Sequence, residues 1–543
     1  MKLKIDKIIS NIMINLGYPD ISSSIQIPKN SQHGDFTTNV ALQISSKTGQ
    51  DAKLIANNII ELIINENNHI INKAEVAGPG FINIIINKQY FFDMLPQILK
   101  ENMDFGKSKI FRSKKALIEF VSANPTGPLT VAHGRGAILG HIVSNILEWN
   151  GYKVEKEYYF NNAGRQMRKL AESVKARYLE IQNKDFVFPD NGYEGEYIYD
   201  IAKNILDKYS NTTFDEDNLD VFKEEAESLI FLDIKKTLNK LGLKFDNFFN
   251  ENFLYESGDI KEIVDRLRKQ NLAYDKDGAV WVKTSSMGRE KDKVIIKSTG
   301  EPTYRLPDIA YHQNKYLRKF DLLIDIFGSD HQDAYPDVLA VLNKLGFDPK
   351  IIKVLVHQFV TILDNGQQLK MSTRKANFIT LNELIEKVGS DVVHYFFIMR
   401  GMNTHLNFDL KLAQDESDQN PVYYIQYAYA RTCNILKYAE EIGHKYNQSE
   451  KISLLDLDEE INIIKNLIEF PNIIKNSLNT LEPQTIAQYL QNLASSFHKY
   501  YSHHRLVSSD KNKTSARITL VKAIQIVMRN GLKILNISAP EKM

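Results

Sequence analysis

A loop rich in glycine and proline, SANPTGPLTVAHGRG, spans residues 122–136 and carries residue types that suit a phosphate. A run of β-forming residues at 114–122 precedes it, and apolar residues at helical spacing follow it over 138–149. A strand that leads through a loop into a helix places the helix N-terminus at the carboxyl edge of a parallel sheet, where backbone N–H groups favour phosphate. We therefore predict a nucleotide-binding loop in which His133 donates to a phosphate oxygen. Three glycines are expected to let the nucleotide approach the backbone: Gly127, Gly134 and Gly136.

A second loop, LKMSTRKANFITL at 369–381, follows a predicted strand at 353–360 and carries several cations. A cationic loop can close over the outer phosphates of a nucleotide and stabilise the charge that is transferred. A Lys-Met-Ser triplet by itself is usually a solvated loop, but its place after a strand of the same predicted sheet favours a function. The cations that could act are Lys370, Arg374 and Lys375.

Tyr304 and Asp308 are four residues apart, so a helix at 304–312 would place both side chains on one face. A carboxylate beside an aromatic ring suits a planar guanidinium group, which forms paired hydrogen bonds and stacks on rings. A surface ion pair is the alternative for Asp308. Asp330 and His331 are a further candidate pair, and a helix N-cap with its neighbour is the alternative there.

The composition limits the class of protein and its partners. The 543 residues are 43% hydrophobic and 25% charged, which is typical of a globular chain of three or four domains. The single cysteine, Cys433, excludes a disulfide framework and a zinc site built on several cysteines, and a buried filler is its ordinary role. The net charge of +1 means that a nucleic-acid partner would have to be bound by local basic patches.

The sequence contains no pattern typical of a membrane protein. Residues 1–20 predict the start of a helix rather than a signal peptide, and no run reaches the roughly 18 apolar residues of a membrane span. We expect a cytoplasmic protein with no membrane partner and no metal site built from its own side chains.

Three regions of the chain differ in their patterns. Residues 1–108 predict a small α/β unit, with a helix at 53–64 and two strands around the turn at 78–80. Residues 109–415 alternate strands and helices, which indicates a doubly wound parallel sheet, and polar helices with a hairpin at about 185–290 indicate an insertion. Residues 416–543 show helical spacing alone, which predicts a separate bundle that begins near Pro421.

The first loop resembles the His-x-Gly-His signature of class I aminoacyl-tRNA synthetases, in the form found in the arginyl-tRNA synthetase family. It matches at Asn-Pro-Thr-Gly-Pro, residues 124–128, and at His133, and it departs at Thr130 and Ala132, where His and Gly are usual. The second loop resembles Lys-Met-Ser-Lys-Ser, with Thr373 in place of the second lysine. Segments 33–42 and 77–84 resemble the family's appended N-terminal domain, so the resemblance covers essentially the whole chain.

The resemblance implies site roles, residue by residue. It implies catalytic roles for His133, Thr130, Lys370 and Arg374. It implies ATP contacts for Pro125, Gly127, Pro128, Ala132, His133, Gly136, Met371 and Ser372. It implies arginine binding by Glu119, Ser122, Asn124, Tyr304, Asp308, Asp330 and His331, with Tyr304 and Asp308 on the guanidinium.

Two further segments resemble the family. Residues 161–164 resemble its Asn-Asp-x-Gly, but Asn162 replaces the aspartate and is assigned no charge role. Residues 426–431 resemble part of its anticodon-binding bundle, with Tyr429 in place of His, and unpaired bases suit aromatic and arginine side chains. Internal packing is the alternative for each residue. The implied tRNA contacts are Gln426, Tyr427, Arg431 and Met543.

The resemblance also implies the fold and the reaction. The fold is α/β: a Rossmann-type doubly wound parallel-sheet catalytic domain with an insertion, an N-terminal α/β tRNA-contacting domain and a C-terminal all-α anticodon-binding bundle. The reaction is ATP-dependent ligation of L-arginine to tRNA(Arg) through arginyl-adenylate, with release of pyrophosphate and AMP. Mg²⁺ accompanies ATP, activation is expected to need bound tRNA, and the chain is expected to act as a monomer.

Three other functions fit parts of the sequence. A class I synthetase for another amino acid, such as a cysteinyl enzyme, fits the loops, but one cysteine argues against a cysteine-rich zinc site. A non-catalytic tRNA-binding relative fits the departures at Thr130, Ala132 and Thr373. A small-molecule adenylyltransferase shares the histidine signature, but the helical tail would then have no function.

Overall fold

The N-terminal unit is a four-stranded antiparallel sheet with helices packed against it. The computed structural model describes residues 1–28, 33–67, 69–210, 218–329, 332–369, 379–444 and 452–543. The elements of this unit are α1 (Lys2–Asn15), β1 (Ile25–Gln26), β2 (Phe36–Thr38), α2 (Val40–Thr48), α3 (Ala52–Asn67), β3 (Ile71–Ala77), β4 (Phe81–Ile86) and α4 (Lys88–Glu101). The predicted helix at 53–64 lies within α3, and the two predicted strands are β3 and β4, so both predictions are confirmed.

A five-stranded parallel sheet forms the centre of the molecule. Its first half contains β5 (Lys115–Glu119), α5 (Val131–Trp149), β6 (Lys153–Phe160), α6 (Gly164–Ile181), α7 (Glu196–Lys208), α8 (Leu219–Lys240) and β7 (Asn247–Asn250). A small antiparallel sheet separates the halves, in the segment α9 (Asn252–Glu256), α10 (Asp259–Lys269), β8 (Ala273–Lys276), β9 (Ala279–Val282) and β10 (Lys293–Ile296). The second half contains α11 (Arg305–Leu317), β11 (Leu322–Gly328), α12 (Tyr335–Lys344) and β12 (Ile352–His357).

The order of the strands in this sheet is β12-β11-β5-β6-β7, which confirms the predicted doubly wound parallel sheet. From β5 the chain adds strands on one side, and it later returns to add β11 and β12 on the other side. The carboxyl ends of β5 and β11 therefore border the crevice where the strand order reverses, which is where open α/β sheets bind ligands.

The structure differs from the predicted pattern at two places. Within the predicted insertion at 185–290, the short strand β7 pairs in parallel with β6 and extends the central sheet. Its four residues are too few to show a period, and its pairing with β6 rather than its own pattern defines it as a strand. The predicted strand at 353–360 ends at His357, and Val360 begins a strand of another sheet.

That other sheet has the order β14-β13-β15 and follows the central sheet along the chain. Its segment contains β13 (Val360–Asp364), β14 (Gln367–Gln368), α13 (Leu381–Val388), α14 (Ser390–Ile398), β15 (Leu406–Asp409) and α15 (Leu410–Ala413). The break after β12 lets residues 357–360 turn along the crevice instead of continuing the central sheet.

The C-terminal region consists of long helices, as predicted. These are α16 (Pro421–Glu441), α17 (Asp458–Thr480), α18 (Gln484–His503) and α19 (Lys511–Ile534), and Pro421 lies in the first turn of α16. The bundle contacts the N-terminal unit through Asn530, whose amide donates to the carbonyls of Asn102 and Phe105 at 2.8 and 3.1 Å. In the described part of the chain, no helix is long and apolar enough to cross a membrane.

Helix α5 lies close against the central sheet because Gly140, on its inner face, has no side chain. A Cβ built at Gly140 would lie 2.2 Å from Cγ of Phe120, which is itself buried beyond the end of β5. We expect Gly140→Ala to lower the free energy of unfolding by about 1–3 kcal/mol, because overpacking forces α5 away from the sheet. Thermal unfolding followed by circular dichroism measures the effect. Glu148→Ala, at an exposed position of the same helix, is the control, and equal melting temperatures for the two variants would contradict this packing.

Candidate functional site

A cavity of about 620 Å³ lies at the carboxyl ends of β5, β11 and β12. It lies in the crevice at which the order of strands reverses, so the position of the site follows from the strand topology. Several predicted site residues line it: Glu119, Ser122, Asn124, Ala132, His133, Gly136, Tyr304 and Asp308.

Four predicted residues of the first loop, Pro125, Gly127, Pro128 and Thr130, do not line the cavity. A Cβ at Gly127 would lie 2.9 Å from the hydroxyl of Tyr197, which donates to the carbonyl of Thr126. Gly127 therefore provides room for helix α7 rather than for a ligand. Gly134, also predicted to leave room for a nucleotide, packs against Leu381 and Phe397. The other residues predicted to bind ATP or arginine, or to act in catalysis, lie outside the described part of the chain: Asp330, His331, Lys370, Met371, Ser372 and Arg374.

Helix α5 begins at the cavity, with Thr130 as its N-cap and His133 in its first turn. The backbone N–H of Thr130 donates to Nδ1 of His133 at 3.1 Å, and the Thr130 hydroxyl lies 3.2 Å from the same nitrogen. Because a backbone N–H can only donate, Nδ1 is the acceptor, and the neutral ring carries its proton on Nε2. The ring is thus oriented as a hydrogen-bond donor at the positive end of a helix dipole.

The turn after β5 places the next predicted residues at the cavity. Val121 and Ser122 have φ values of 68° and 44°, in the left-handed region that a β-branched residue rarely adopts. The Ser122 hydroxyl donates to Glu119 Oε1 at 2.8 Å and accepts from the backbone N–H of Tyr159 at 3.2 Å. The hydrogen bonds of this strained turn fix Ser122 and Glu119 side by side.

Helix α11 contributes further residues to the lining of the cavity. Tyr304 precedes its first residue with a 78% exposed side chain, and Asp308 lies one turn further along. The pKa of Asp308 is raised to about 7, mainly by burial of the carboxyl group. The carboxylates of Glu119 and Glu251 contribute to this rise, and the nearby His312 opposes it. A positively charged ligand would therefore stabilise the ionised form of this buried carboxyl group.

Sequence reasoning missed a second acidic residue of this pocket, Glu251, which follows strand β7. Its carboxylate accepts from the Tyr159 hydroxyl at 2.6 Å and from the Asn161 amide at 2.8 Å, and all three residues line the cavity. Glu251 was missed because β7 was not predicted, so nothing in the sequence placed it at the sheet edge.

A buried ionic cluster under the cavity was also missed. Lys315 Nζ lies 2.5 Å from Glu119 Oε2 and 2.6 Å from Asp325 Oδ1, and His312 Nε2 lies 2.9 Å from Asp325 Oδ2. Burial lowers the pKa of His312, but Asp325 outweighs burial and leaves that pKa above its usual value. The signal was present as Asp308, His312 and Lys315 at helical spacing on α11, which predicts one shared face.

The cavity lining after β12 is fixed from helix α5 by Arg135. Its guanidinium is fully buried and donates to the backbone carbonyls of Gln358, Thr404 and Gly401 at 2.8, 2.9 and 3.0 Å. Burial lowers its pKa to about 10. Arg135 thus joins the helix that carries His133 to the turn that leaves the central sheet.

The predicted nucleic-acid residues of the bundle differ in exposure. Gln426 is buried, and its amide donates to Asp391 Oδ2 at 2.7 Å and to the Ser538 hydroxyl at 3.0 Å, so it joins α16 to α14. Tyr427 is 40% exposed, and the Arg431 guanidinium lies 4.6 Å from its ring centroid. Met543 is 46% exposed. Tyr427 therefore offers an exposed ring, with the half-buried guanidinium of Arg431 beside it, whereas Gln426 has a structural role.

The cavity thus combines two kinds of binding group. Its lining includes a helix N-terminus with a histidine donor, which suits a phosphate, and the carboxylates of Asp308 and Glu251, which suit a cation. This arrangement at the switch point of a doubly wound sheet can bring a cationic molecule and a nucleotide together in one reaction.

Three family descriptions match the chain, and together they cover most of it. Residues 1–86 match the arginyl tRNA synthetase N terminal domain, and residues 94–393 match the catalytic domain of class I (R) tRNA synthetases. Residues 425–543 match the DALR anticodon binding domain.

Similar proteins are known from other organisms. The arginine–tRNA ligase of Desulfotalea psychrophila is 46% identical over 522 residues, which cover 96% of this chain and 94% of that protein. That of Salinibacter ruber is 43% identical over 541 residues, which cover 96% of each. The solved structure of the Thermus thermophilus arginyl-tRNA synthetase aligns over 100% of both chains with a TM-score of 0.78, and at 19% identity it supports the fold alone.

The fold, the cavity and the catalytic-domain match define a class I aminoacyl-tRNA synthetase. Within that class, the chain belongs to the arginyl-tRNA synthetase family, the ligases that join arginine to tRNA. The family predicted from the signature loops is therefore confirmed, and so is its three-part α/β architecture.

Proposed function

We propose that the cavity binds arginine and ATP together and that the chain charges tRNA(Arg) in two steps. The arginine carboxylate attacks the α-phosphate of ATP, which gives arginyl-adenylate and pyrophosphate. A hydroxyl of the terminal tRNA ribose then attacks the adenylate carbonyl, AMP leaves, and the hydroxyl proton is released. The carrying observation is that one cavity contains both the acidic residue Asp308 and the donor His133 at the start of α5.

At the arginine end, the guanidinium is proposed to bind Asp308 and Glu251 beneath the ring of Tyr304. Among the described residues, neither carboxylate has an ion-pair partner within 4.0 Å, so the ligand would supply the missing positive charge. Ser122 and Asn124 follow β5 and line the same cavity, and they are proposed to bind the polar groups at the other end of the amino acid.

At the ATP end, His133 and the first turn of α5 are proposed to bind phosphate oxygens as negative charge develops. Ala132 and Gly136 line the cavity beside them, and a Cβ at Gly136 would lie 3.0 Å from Nε2 of His357. Mg²⁺ is proposed to arrive with ATP and to balance the charge of its phosphates. The protein contributes by positioning and by stabilising phosphate charge, without a covalent intermediate.

The pKa of Asp308 predicts the pH dependence of arginine binding. With a pKa of about 7, the carboxyl group is mostly protonated below neutrality, and a guanidinium prefers the ionised form. Binding therefore releases a proton. As the pH rises toward 7, the dissociation constant for arginine should decrease by about tenfold per pH unit, and above pH 7 it should become constant. Calorimetric titration from pH 5.5 to 8.5 measures this dependence. Asp308→Asn should be flat over the range, and a flat wild-type profile would contradict the assignment.

Three properties beyond the chemistry belong to the same proposal. The exposed Tyr427 and the half-buried Arg431 are proposed to stack on unpaired tRNA bases, with Met543 as a further contact. The chain is proposed to act as a monomer in the cytoplasm. Gel filtration with light scattering and cell fractionation test these two properties.

Pyrophosphate exchange into ATP with each of the twenty amino acids, with and without bulk tRNA, tests the proposed function. We expect exchange with arginine alone, and stronger exchange when tRNA is present. Exchange with a different amino acid would contradict the specificity. Absence of exchange under every condition would favour a non-catalytic tRNA-binding relative.

A further inference from the structure

A fully buried lysine lies beneath the cavity and has contacts with two acidic residues. Lys315, on α11, has 0% side-chain exposure, and its Nζ lies 2.5 Å from Glu119 Oε2 and 2.6 Å from Asp325 Oδ1. Its ammonium also lies 4.2 Å from the ring centroid of Tyr311. Buried lysines are uncommon and need paired charges, so this residue is fixed by its carboxylate partners.

The two carboxylates that Lys315 bridges are neighbours in the central sheet. Asp325 of β11 and Glu119 of β5 are partners in the parallel register, so two negative side chains are adjacent at one sheet edge. Like charges in that position repel each other, and a cation between them is needed. The other oxygens are occupied as well, because Ser122 donates to Glu119 Oε1 and His312 Nε2 lies 2.9 Å from Asp325 Oδ2.

The cavity therefore contains two acidic subsites of different character. Glu119 and Asp325 line the cavity and already share Lys315, whereas Asp308 and Glu251 line it with no ion-pair partner within 4.0 Å among the described residues. Arginine carries two cations, the guanidinium and the α-ammonium, and either could be attracted by two adjacent carboxylates. In the proposed function, the guanidinium binds Asp308 and Glu251 and the carboxylate of arginine faces the α-phosphate of ATP.

We propose that Lys315 is a positioning and specificity-determining residue, which occupies the cation subsite between Glu119 and Asp325 and so directs the substrate guanidinium to Asp308 and Glu251. The role rests on the proposed binding of arginine in this cavity. A protein cation in the first subsite leaves the second as the favourable place for a substrate cation. Lys315 touches no reacting atom and acts through Glu119 and Asp325.

If the ammonium of Lys315 is removed, arginine should still bind, but in the wrong orientation. In Lys315→Ala, a cation of the substrate can enter the subsite between Glu119 and Asp325, with its carboxylate turned away from ATP. Non-productive binding lowers kcat and KM together. We expect kcat for arginine-dependent exchange to fall by about tenfold or more, with the KM for arginine unchanged or lower.

Two ligands distinguish this role from a purely structural one. Agmatine has the guanidinium and an amine but no carboxylate, so it can occupy both subsites of Lys315→Ala and should inhibit that variant about tenfold more strongly than the wild type. The n-propylammonium ion can replace the missing ammonium and should restore kcat. Tetramethylammonium at equal ionic strength is too large for the subsite and should not. Lys344→Ala, which removes an exposed lysine, should behave as wild type in each assay.

A second variant tests the proposal even if Lys315→Ala unfolds. Lys315→Ala combined with Asp325→Asn removes one positive and one negative charge, so the pair stays balanced and the emptied subsite has a single carboxylate. This double variant should recover kcat toward the wild-type value, or remain active where the single variant does not fold. Because a balanced pair also restores folding, agmatine is the discriminating measurement, and it should inhibit the double variant about as strongly as it inhibits the wild type.

The outcomes separate the proposal from the function on which it rests. Wild-type protein that shows no exchange with arginine would overturn the proposed function. Wild-type exchange together with an unchanged inhibition constant for agmatine, no rescue by n-propylammonium and no recovery in the double variant would overturn the role of Lys315 alone.

Discussion

Asp308→Asn is expected to reduce kcat/KM for arginine by about two to four powers of ten. Removal of one partner from a buried charge pair costs about 3–5 kcal/mol, because the other charge remains desolvated without compensation. Asparagine has nearly the same shape, so the loss would come from charge. Tenfold in rate corresponds to about 1.4 kcal/mol, which gives the stated range.

The loss of kcat/KM should come from weaker use of arginine and not from weaker binding of ATP. His133 belongs to α5 and Asp308 to α11, so ATP binding measured by calorimetry should change by less than about threefold. Pyrophosphate exchange over a range of arginine concentrations, with tRNA present, measures the main effect. Asp265→Asn, at an exposed position of α10, is the matched control. A KM for arginine equal to that of the wild type would show that the guanidinium binds elsewhere.

His133→Ala is expected to reduce kcat for arginine activation by about 10²–10³. The imidazole is oriented through Nδ1, which accepts from the backbone of Thr130, so that Nε2 can donate where phosphate charge develops. One preorganised donor to a developing anion contributes about 3–4 kcal/mol to the transition state. Since the contact strengthens only as charge develops, kcat and kcat/KM should fall by similar factors.

Thr130→Ala separates the histidine from the helix cap. The bond that orients His133 comes from the backbone N–H of Thr130, so alanine preserves it while removing the hydroxyl. We expect Thr130→Ala to retain most of the rate and to lose about 1 kcal/mol of stability as a lost N-cap residue. Single-turnover formation of adenylate measures the rates of both variants. A larger loss of rate in Thr130→Ala than in His133→Ala would assign the catalytic contact to the threonine instead.

The electrostatics of the pocket explain why a mutational test of arginine binding needs several variants. Burial is the main cause of the raised pKa of Asp308, and the carboxylates of Glu119 and Glu251 raise it as well. Substitution of one carboxylate changes the ionisation of the others, so the free-energy effects of single substitutions will not be additive. The pH profile of arginine binding and the response to agmatine report on the cluster without this complication.

The sequence by itself determined the family and the order of the domains, and it predicted part of the candidate site. The loops at 122–136 and 369–381 and the pair Tyr304 and Asp308 are local patterns, and local patterns can be read from spacing. Helical and strand periods likewise predicted α3, α5 and the strands β3, β4, β5 and β12. Each of these features depends on residues close to one another along the chain.

The tertiary structure alone decided which acidic and cationic groups meet. Glu251 enters the site because β7 pairs with β6, and Lys315 lies between Glu119 and Asp325 because β5 and β11 are adjacent in the sheet. Gly127 packs against Tyr197 for the same reason, since the partner comes from a distant helix. Such contacts join residues far apart in sequence, and long-range strand pairing leaves no period in the residues that it brings together.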